Sequence, residues 1–372
     1  MPLINLITHV RFDFGAISAL PEELERLGIR HPLIVSDPGV VRAGCVEKAC
    51  AWIKGAPCSE YFDTPQNPTE DAVEAALKIY NEERCDGIVA IGGGSSMDLA
   101  KAVGLLATHD GVLMDYDVTT GGHENVGPIA PVIAVPTTAG TGTEVSIGAV
   151  ILLRAGHKGI VDSRHLVPAG VICDPEMTLS LPPSITAETG IDALSHCIEG
   201  YLSNIDNPPL EAIALDGARR IARNLRAAVK NGGDRTARWE MMMGALEGGM
   251  SMLMELGAAH AMANYVGYKA NAAHGRAIAV ALGPSVAFAE AAAPEKVARI
   301  REALGVAPGA DIARYFDDLC RGIGLPTRLS ELGLSRDDLG PIAESCAKSF
   351  FNMTAPRKAS VQDYEALLVA SY

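Results

Sequence analysis

No stretch of this chain approaches the ~20 consecutive apolar residues that a membrane-spanning helix requires, so no membrane partner is expected. No Cys-x-x-Cys pair occurs either. The eight cysteines (Cys45, Cys50, Cys58, Cys85, Cys173, Cys197, Cys320 and Cys346) are scattered and do not resemble the disulfide framework of a secreted domain. Basic charge is also short: 31 Lys and Arg stand against 45 Asp and Glu, a formal charge of −14. Phosphate backbones need a basic surface, so nucleic acid is not an expected partner. An acidic surface also weakly opposes anionic substrates at long range, and an acid substrate would need a cation of its own nearby. The opening stretch, MPLINLITHVRFDFG, reaches charged residues too soon for the apolar core of a secretory leader. There is no internal repeat and no low-complexity tract. These absences together predict a cytoplasmic globular protein.

What is present fits an enzyme of ordinary composition, 48% hydrophobic and 20% charged over 372 residues. That length is generous for one core and suits two domains. Up to about residue 180, short β-rich runs alternate with helical patterns. Strands are predicted at Pro32–Asp37, Tyr61–Phe62, Gly87–Ile91, Val132–Pro136 and 146–153, with helices over 40–54, 69–84 and 97–108. Such alternation calls for right-handed crossovers and a parallel sheet covered on both faces. After Leu181-Pro182-Pro183 the β-branched runs give way to Ala, Leu, Met and Glu. Helices are predicted over 184–203, 208–230, 234–254, 276–292, 294–304, 311–323, 335–351 and 360–371, the last opened by a capping box from Ser360 to Asp363. The expected fold class is therefore α/β plus all-α: a Rossmann-like parallel-sheet domain over 1–180 and a helical domain over 181–372.

Two polar turns follow predicted strands. Gly92-Gly93-Gly94-Ser95-Ser96 closes the strand at 87–91 and opens a helix, so its backbone N–H groups and the helix's positive end suit a pyrophosphate. Its spacing is not Gly-x-Gly-x-x-Gly, and taken alone it reads equally well as a structural turn. Pro136-Thr137-Thr138-Ala139-Gly140-Thr141-Gly142-Thr143-Glu144 offers hydroxyls to phosphate, ribose or an amide. Paired turns of this kind suit the carboxyl edge of an open α/β sheet. Asp37, at the end of the first of these strands, suits a ribose diol and would repel a 2′-phosphate, which favours NAD over NADP. The competing reading of Asp37 is a turn or helix cap.

Asp192 and His196 are four apart, so a helix puts both on one face. His260 opens a further helical stretch, and His274 follows fourteen residues later. One carboxylate and three imidazoles can hold Fe2+ or Zn2+ with a position left for a substrate oxygen. A single histidine in such alanine-rich surroundings is more often a satisfied core residue, but three with an i, i+4 aspartate point to metal.

The segments GGGSSMDLAK (92–101), PTTAGTGTEVS (136–146), DPEMT (174–178), TAETGIDALSHCIEGYLS (186–203) and GAAHAMA (257–263) resemble the iron-containing, or group III, alcohol dehydrogenase family across nearly the whole chain. The N-terminal stretch and Ser163-Arg164-His165-Leu166-Val167-Pro168 resemble members acting on 4-hydroxybutyrate and related short hydroxy acids. The resemblance implies a dehydroquinate synthase-like fold and metal-assisted hydride transfer between a small primary alcohol or short hydroxy acid and its aldehyde. It implies Asp192, His196, His260 and His274 as metal ligands, with Fe2+ the usual ion and Zn2+ also compatible. Gly93, Gly94, Ser95 and Asp98 would hold the pyrophosphate side of NAD. Thr137, Thr138 and Thr141 would meet the nicotinamide half, Lys158 a ribose, and Asp37 and Asn67 the adenosine end. A homodimer or higher homo-oligomer is implied as well.

One departure stands out. Family members commonly carry a second histidine four residues after the first in the His-Ala-Met-Ala run, where this chain has Asn264. Asparagine hydrogen-bonds but cannot act as a base near neutral pH. Proton transfer would then pass through water and ribose hydroxyls, or through another polar group such as Tyr268, or the enzyme would be slow with ordinary alcohols. Lys269, Arg276 and Arg357 are candidate partners for a substrate carboxylate, and each also reads as a solvated charge. Two other readings stay open. One is a sugar-phosphate or polyol-acting lyase or dehydrogenase of the same fold; the other is a catalytically impaired homologue that still binds NAD and metal.

Overall fold

The structure, a computed structural model, describes residues 8–372, so the first half of the opening stretch read for a leader lies outside the described residues. The described chain forms two compact units that meet in sequence at Ser180 and Leu181.

The first unit is built on six parallel strands: β1 (Val10–Phe12), β2 (Pro32–Val35), β3 (Ser59–Tyr61), β4 (Gly87–Gly92), β5 (Val132–Pro136) and β8 (Gly170–Cys173). Their order is β1-β8-β5-β4-β2-β3. The helices of this unit are α1 (Leu20–Leu27), α2 (Pro38–Arg42), α3 (Cys45–Cys50), α4 (Glu70–Glu82) and α5 (Gly94–Leu106). Every residue of β2, β4 and β5 is buried. The reason is that alternate side chains enter two different cores. Leu33, Val35, Ile88, Ala90, Val132 and Ala134 pack with residues of α4 and α5. Ile34, Val89, Ile91, Ile133 and Val135 pack with residues of α1 and α3.

Three expectations need correction here. The helix predicted over 40–54 breaks into α2, α3 and a 3-10 turn, because Gly44 sits at φ 76, a left-handed conformation that ends one helix before the next begins. The helix predicted from Met97 starts earlier, at Gly94, directly after the strand. The run 146–153 forms β6 (Gly148–Leu152), which pairs antiparallel with β7 (Lys158–Asp162) as a separate two-stranded hairpin and does not extend the parallel sheet. Strands β1, β7 and β8 carried no sequence expectation.

The second unit is helical: α6 (Pro183–Leu202), α7 (Pro208–Lys230), α8 (Arg235–Ser251), α9 (Ala258–Ala270), α10 (His274–Glu290), α11 (Pro294–Leu304), α12 (Ile312–Gly322), α13 (Leu339–Lys348) and α14 (Val361–Ala370). Side chains start several of them by accepting a backbone N–H: Asn207 from Leu210, Asp234 from Ala237 and Asp311 from Arg314. Ser360 and Asp363 form the expected reciprocal box. The helix predicted over 335–351 is shorter, with 3-10 turns on either side of α13. Helix α6 is the axis of this unit, buried on nearly every face and packed by α7, α8 and α10. Glycines permit that enclosure: a Cβ on Gly200 would stand 2.7 Å from the Ser251 carbonyl oxygen, and one on Gly248 2.9 Å from that of Ala193.

Between α7 and α8, Arg220 is shared by three carboxylates. Its guanidinium lies 2.8 Å from Asp216, 2.7 Å from Glu240 and 3.4 Å from Glu247. Glu247 is 13% exposed, and burial pushes its carboxyl up to about 8 despite the nearby arginine. A raised acid favours the folded state fully below its ordinary value of 4.5 and loses that contribution as pH climbs through about 8. Glu247→Gln should therefore change stability little at pH 4 and raise it at pH 9, on the order of a few kcal/mol. Denaturant titrations at the two pH values test this; a difference that does not widen with pH would refute it.

Candidate functional site

The helical unit brings the four sequence-selected ligands together. Asp192 and His196 lie one turn apart on α6, His260 is the third residue of α9, and His274 is the first of α10. Asp192 Oδ1 is the common point: His196 Nε2 stands 3.7 Å away, His260 Nε2 3.7 Å and His274 Nε2 3.4 Å. Asp192, His260 and His274 each offer an atom within 4.8 Å of the other two. Ligand atoms at the corners of a tetrahedron with ~2.1 Å bonds lie about 3.4 Å apart, so these spacings are close to a metal's requirement. The His196 and His260 rings stack with centroids 5.0 Å apart, and those of His260 and His274 lie 5.2 Å apart, tilted by 47°.

The polar inventory fits a cation. Asp192, His196 and His260 are all buried, and His274 is about one-third exposed. Asp192 Oδ1 and His260 Nε2 are enclosed and make no hydrogen bond among the described residues. A buried carboxylate oxygen and an imidazole nitrogen without hydrogen bonds cost several kcal/mol, roughly 1–3 each, unless a positive charge lies against them. The open side of the cluster is that of His274. Phe351, with its ring 5.9 Å from that of His260, is an apolar neighbour that sequence reasoning did not single out.

Glu199 was also unassigned. Its Oε1 accepts from Ala259 N at 2.7 Å; its Oε2 accepts from His260 N at 3.1 Å and meets His260 Nδ1 at 2.6 Å. The signal was in the spacing, since Glu199 follows His196 by three and Asp192 by seven and so shares their helix face.

Asn264 lies one turn beyond His260 on α9 and is half-buried, whereas Tyr268, the alternative polar group, is 74% exposed. Of the three candidate cations, Lys269 pairs with Asp338 at 3.1 Å. Arg357 pairs with Asp363 at 2.8 Å and lies over the Phe288 ring. Arg276, two residues beyond His274, has no such ion pair among the described residues; it lies close enough to Glu188 to favour that carboxylate.

Asp37, the glycine turn and the threonine turn lie at the carboxyl ends of neighbouring strands β2, β4 and β5, whereas Asn67 follows β3, Asp98 is within α5 and Lys158 opens β7. Thr137 N donates to Gly92 O at 2.9 Å, joining the two polar turns. A Cβ on Gly94 would stand 3.0 Å from Thr141 Cγ2, one on Gly93 3.4 Å from Thr138 Cγ2, and one on Gly92 2.5 Å from Ser96 Oγ. Close approach, not a left-handed backbone, favours glycine at 92 and 94, while Gly93 has room for a Cβ; none of the three has positive φ. The first turn of α5 has no side-chain cap, which leaves its N–H groups for an anion. Thr138 Oγ1 is buried with no hydrogen bond among the described residues, which fits a ligand partner.

Asp37 takes the capping reading. Its Oδ1 caps α2 by accepting from Gly39 and Val40, while Oδ2 faces Gly92, whose Cβ would lie 3.7 Å from it. The Ser95 hydroxyl donates to the Gln66 carbonyl, drawing exposed Asn67 towards the glycine turn. Asp98 braces the hairpin: its Oδ2 accepts from Val150 N at 3.2 Å, and Lys158 and Lys101 lie near enough to favour its charge. Lys101 was not singled out, yet it is wholly buried and donates to the carbonyls of Ser146 and Gly148, both at 2.9 Å. Burial pushes Lys101 down and Asp98 up, each opposed by attraction to the other. Burial also pushes Glu144, in the second turn, up to about 7.

Residues 8–175 match the family described as iron-containing alcohol dehydrogenase, and residues 186–372 match its C-terminal domain. The chain belongs to the iron-containing alcohol dehydrogenase family. It is an oxidoreductase acting on alcohols. It is 42% identical to 4-hydroxybutyrate dehydrogenase of Cupriavidus necator, with all of both chains covered. The structure of 1,3-propanediol oxidoreductase superposes with a TM-score of 0.93 at 33% identity, covering 99% of each chain. Sulfoacetaldehyde reductase from Bifidobacterium kashiwanohense, in complex with NAD+, gives 0.92 at 26% identity, covering 100% of this chain and 98% of that one. Among the described residues, no helix is long and apolar enough to cross a membrane.

The close approach of α10 to α6 sets where His274 falls. A Cβ on Gly275 would stand 2.2 Å from the Glu188 carbonyl oxygen, on backbone that cannot step aside cheaply. Gly275→Ala should therefore cost about 3 kcal/mol, the upper range for overpacking, and weaken divalent-metal binding. Thermal unfolding and calorimetric metal titration check both; an unchanged melting temperature would mean that the two helices are not so close.

Proposed function

We propose that the protein is an NAD-dependent dehydrogenase that interconverts a short hydroxy acid, of the 4-hydroxybutyrate class, with its aldehyde. The observation that carries the metal assignment is the enclosed Asp192 Oδ1 with three imidazole nitrogens within 3.7 Å of it. Asp192, His196, His260 and His274 would hold the divalent ion. When bound, that ion supplies Lewis acidity towards the substrate oxygen. NAD would supply the hydride acceptor. The glycine turn and the α5 amides suit its pyrophosphate, with Thr137, Thr138 and Thr141 towards the nicotinamide half, Lys158 towards a ribose, and Asp37 and Asn67 towards the adenosine end. Asp98 holds the hairpin beside them, and the neutral groups of the turns are left to meet phosphate.

Two observations favour an acid substrate. The relative at 42% identity is a 4-hydroxybutyrate dehydrogenase. Arg276, two residues from His274, is the one candidate cation of the three that the described residues do not already pair with a carboxylate within ion-pair distance. Asn264 can orient a hydroxyl but not take its proton, so the proton released on oxidation would leave through water or ribose hydroxyls.

Anaerobically Fe2+-loaded protein should reduce NAD+ with 4-hydroxybutyrate, and chelated protein should not. His274→Ala should abolish NADH formation while leaving NAD+ binding within a few-fold of the parent by fluorescence titration. Arg276→Ala should raise KM for 4-hydroxybutyrate about 10–100-fold, the value of a charge-assisted hydrogen bond, and far more than it raises KM for 1,3-propanediol. Full activity in His274→Ala would sink the metal assignment. Equal effects on the two substrates would sink Arg276 as the acid-binding group. No turnover despite tight NAD+ and Fe2+ binding would point to the Asn264 departure.

A further inference from the structure

We propose that Glu199 is a positioning residue that fixes His260 in the tautomer whose Nε2 lone pair faces Asp192; this rests on the metal reading of the site. The geometry sets three donors against two oxygens. Ala259 N lies 2.7 Å from Oε1, and His260 N and His260 Nδ1 lie 3.1 and 2.6 Å from Oε2. Both residues are buried, Glu199 and His260 each at 4% exposure, so water does not offer His260 Nδ1 an alternative. A neutral imidazole has a single N–H. With that hydrogen on Nδ1 and donated to Glu199, Nε2 has none, and Nε2 is the atom that stands 3.7 Å from Asp192 Oδ1 and makes no hydrogen bond. The other tautomer would leave Nδ1 without a proton to give and place an N–H in the space the ion needs.

The same carboxylate does a second thing. By accepting the N–H groups of the second and third residues of α9, it ties the start of that helix to α6, and negative charge there is favoured by the helix dipole. One side chain thus sets both the position of His260's backbone and the orientation and proton of its ring. Gly257 leaves the room for this, since a Cβ there would stand 2.9 Å from Glu199 Oε1. Outer partners of this kind commonly alter metal affinity by about 10–100-fold.

Glu199→Gln separates this role from simple packing. The amide keeps the shape but has one acceptor oxygen, so an NH2 group must face either Ala259 N or the His260 pair. Facing His260, it would donate to Nδ1 and drive the proton to Nε2. Long-range proton–nitrogen correlation spectra of histidine-labelled, metal-free protein report the tautomer, and His260→Gln identifies the His260 signals by their loss. Wild type should show His260 protonated at Nδ1; Glu199→Gln loses that signature where its NH2 faces His260, and Glu199→Leu, which keeps no acceptor, should lose it outright. In parallel, Co2+ titration followed by visible absorption should show affinity falling about 10–100-fold in Glu199→Gln, with circular dichroism confirming the fold. An Nε2-protonated His260 in wild type overturns the proposal, as does unchanged tautomer and Co2+ affinity in Glu199→Leu. Should Glu199→Gln fail to fold, the wild-type tautomer alone still decides. If wild type binds no Co2+ but shows the Nδ1 signature and its loss in the variant, the metal reading fails and the positioning role stands.

Discussion

A carboxylate oxygen shut away from water, making no hydrogen bond and ringed by three imidazole nitrogens, is the constraint around which the helical unit is organised. Desolvating such an oxygen is costly, and neutral rings repay little of that cost. A divalent ion held by these groups would reverse the balance, because metal–ligand free energies, on the order of 10 kcal/mol for structural sites, exceed the cost of burying them. The packing follows from the need to hold Asp192 at that point. Helix α6 is enclosed on nearly every face, and small residues at Gly200, Gly248 and Gly275 let the surrounding backbones come close. Residues with side chains at those positions would move α8 or α10 outward and carry the ligands with them.

The α/β unit solves a different problem with similar means. Its two polar turns must lie close enough to act on one ligand, and glycines at 92 and 94 provide that closeness against Ser96 and Thr141. The second turn is then anchored from below by a buried ammonium. Lys101 satisfies all of its nearest partners with carbonyl and hydroxyl oxygens of Ser146 and Gly148 and draws further support from Asp98 and Glu144. Shared among several oxygens, the charge can stay buried, and the hairpin of β6 and β7 is held where Val150 N reaches Asp98.

Much of this was legible because the relevant residues contradict their surroundings. Histidines in alanine-rich segments are hard to explain as core, and the aspartate at i, i+4 from one of them makes a shared face unavoidable. Strands β2, β4 and β5 were equally readable, since burial on both faces leaves continuous apolar runs. What escaped the sequence had no such contrast. Strands β1, β7 and β8 are three to five residues long, too short for a period to show. The 146–153 run has strand character, but nothing in it says whether it joins the sheet or turns back on itself; that is settled by long-range bonds such as Lys101 to Gly148. Glu199 and Lys101 are charged residues in helices, and on composition alone such residues belong on a solvated face. Only the partners brought by α9 and by the hairpin explain why they are inside. The break at Gly44 was visible in principle, though a glycine within a helical pattern is tolerated as often as it terminates.

Asn264 is best understood against these two kinds of constraint. It lies one turn beyond His260 on the same helix and is half-buried, while Glu199 holds His260 and Asp192 Oδ1 stands within 3.7 Å of three imidazole nitrogens. Asparagine offers hydrogen bonds but no base near neutral pH, so this position bears on proton movement rather than on the aspartate-histidine cluster itself. The positions next to the ligands point the same way. Arg276 adds a cation two residues from His274, and Phe351 sets an aromatic face beside His260. Chemistry that depends on exact ligand placement is fixed by buried hydrogen bonds and close backbone contacts, which tolerate little change. At the open side of the cluster, that of one-third-exposed His274, one side chain can replace another without unpairing anything buried, so selectivity can change there without disturbing the cluster.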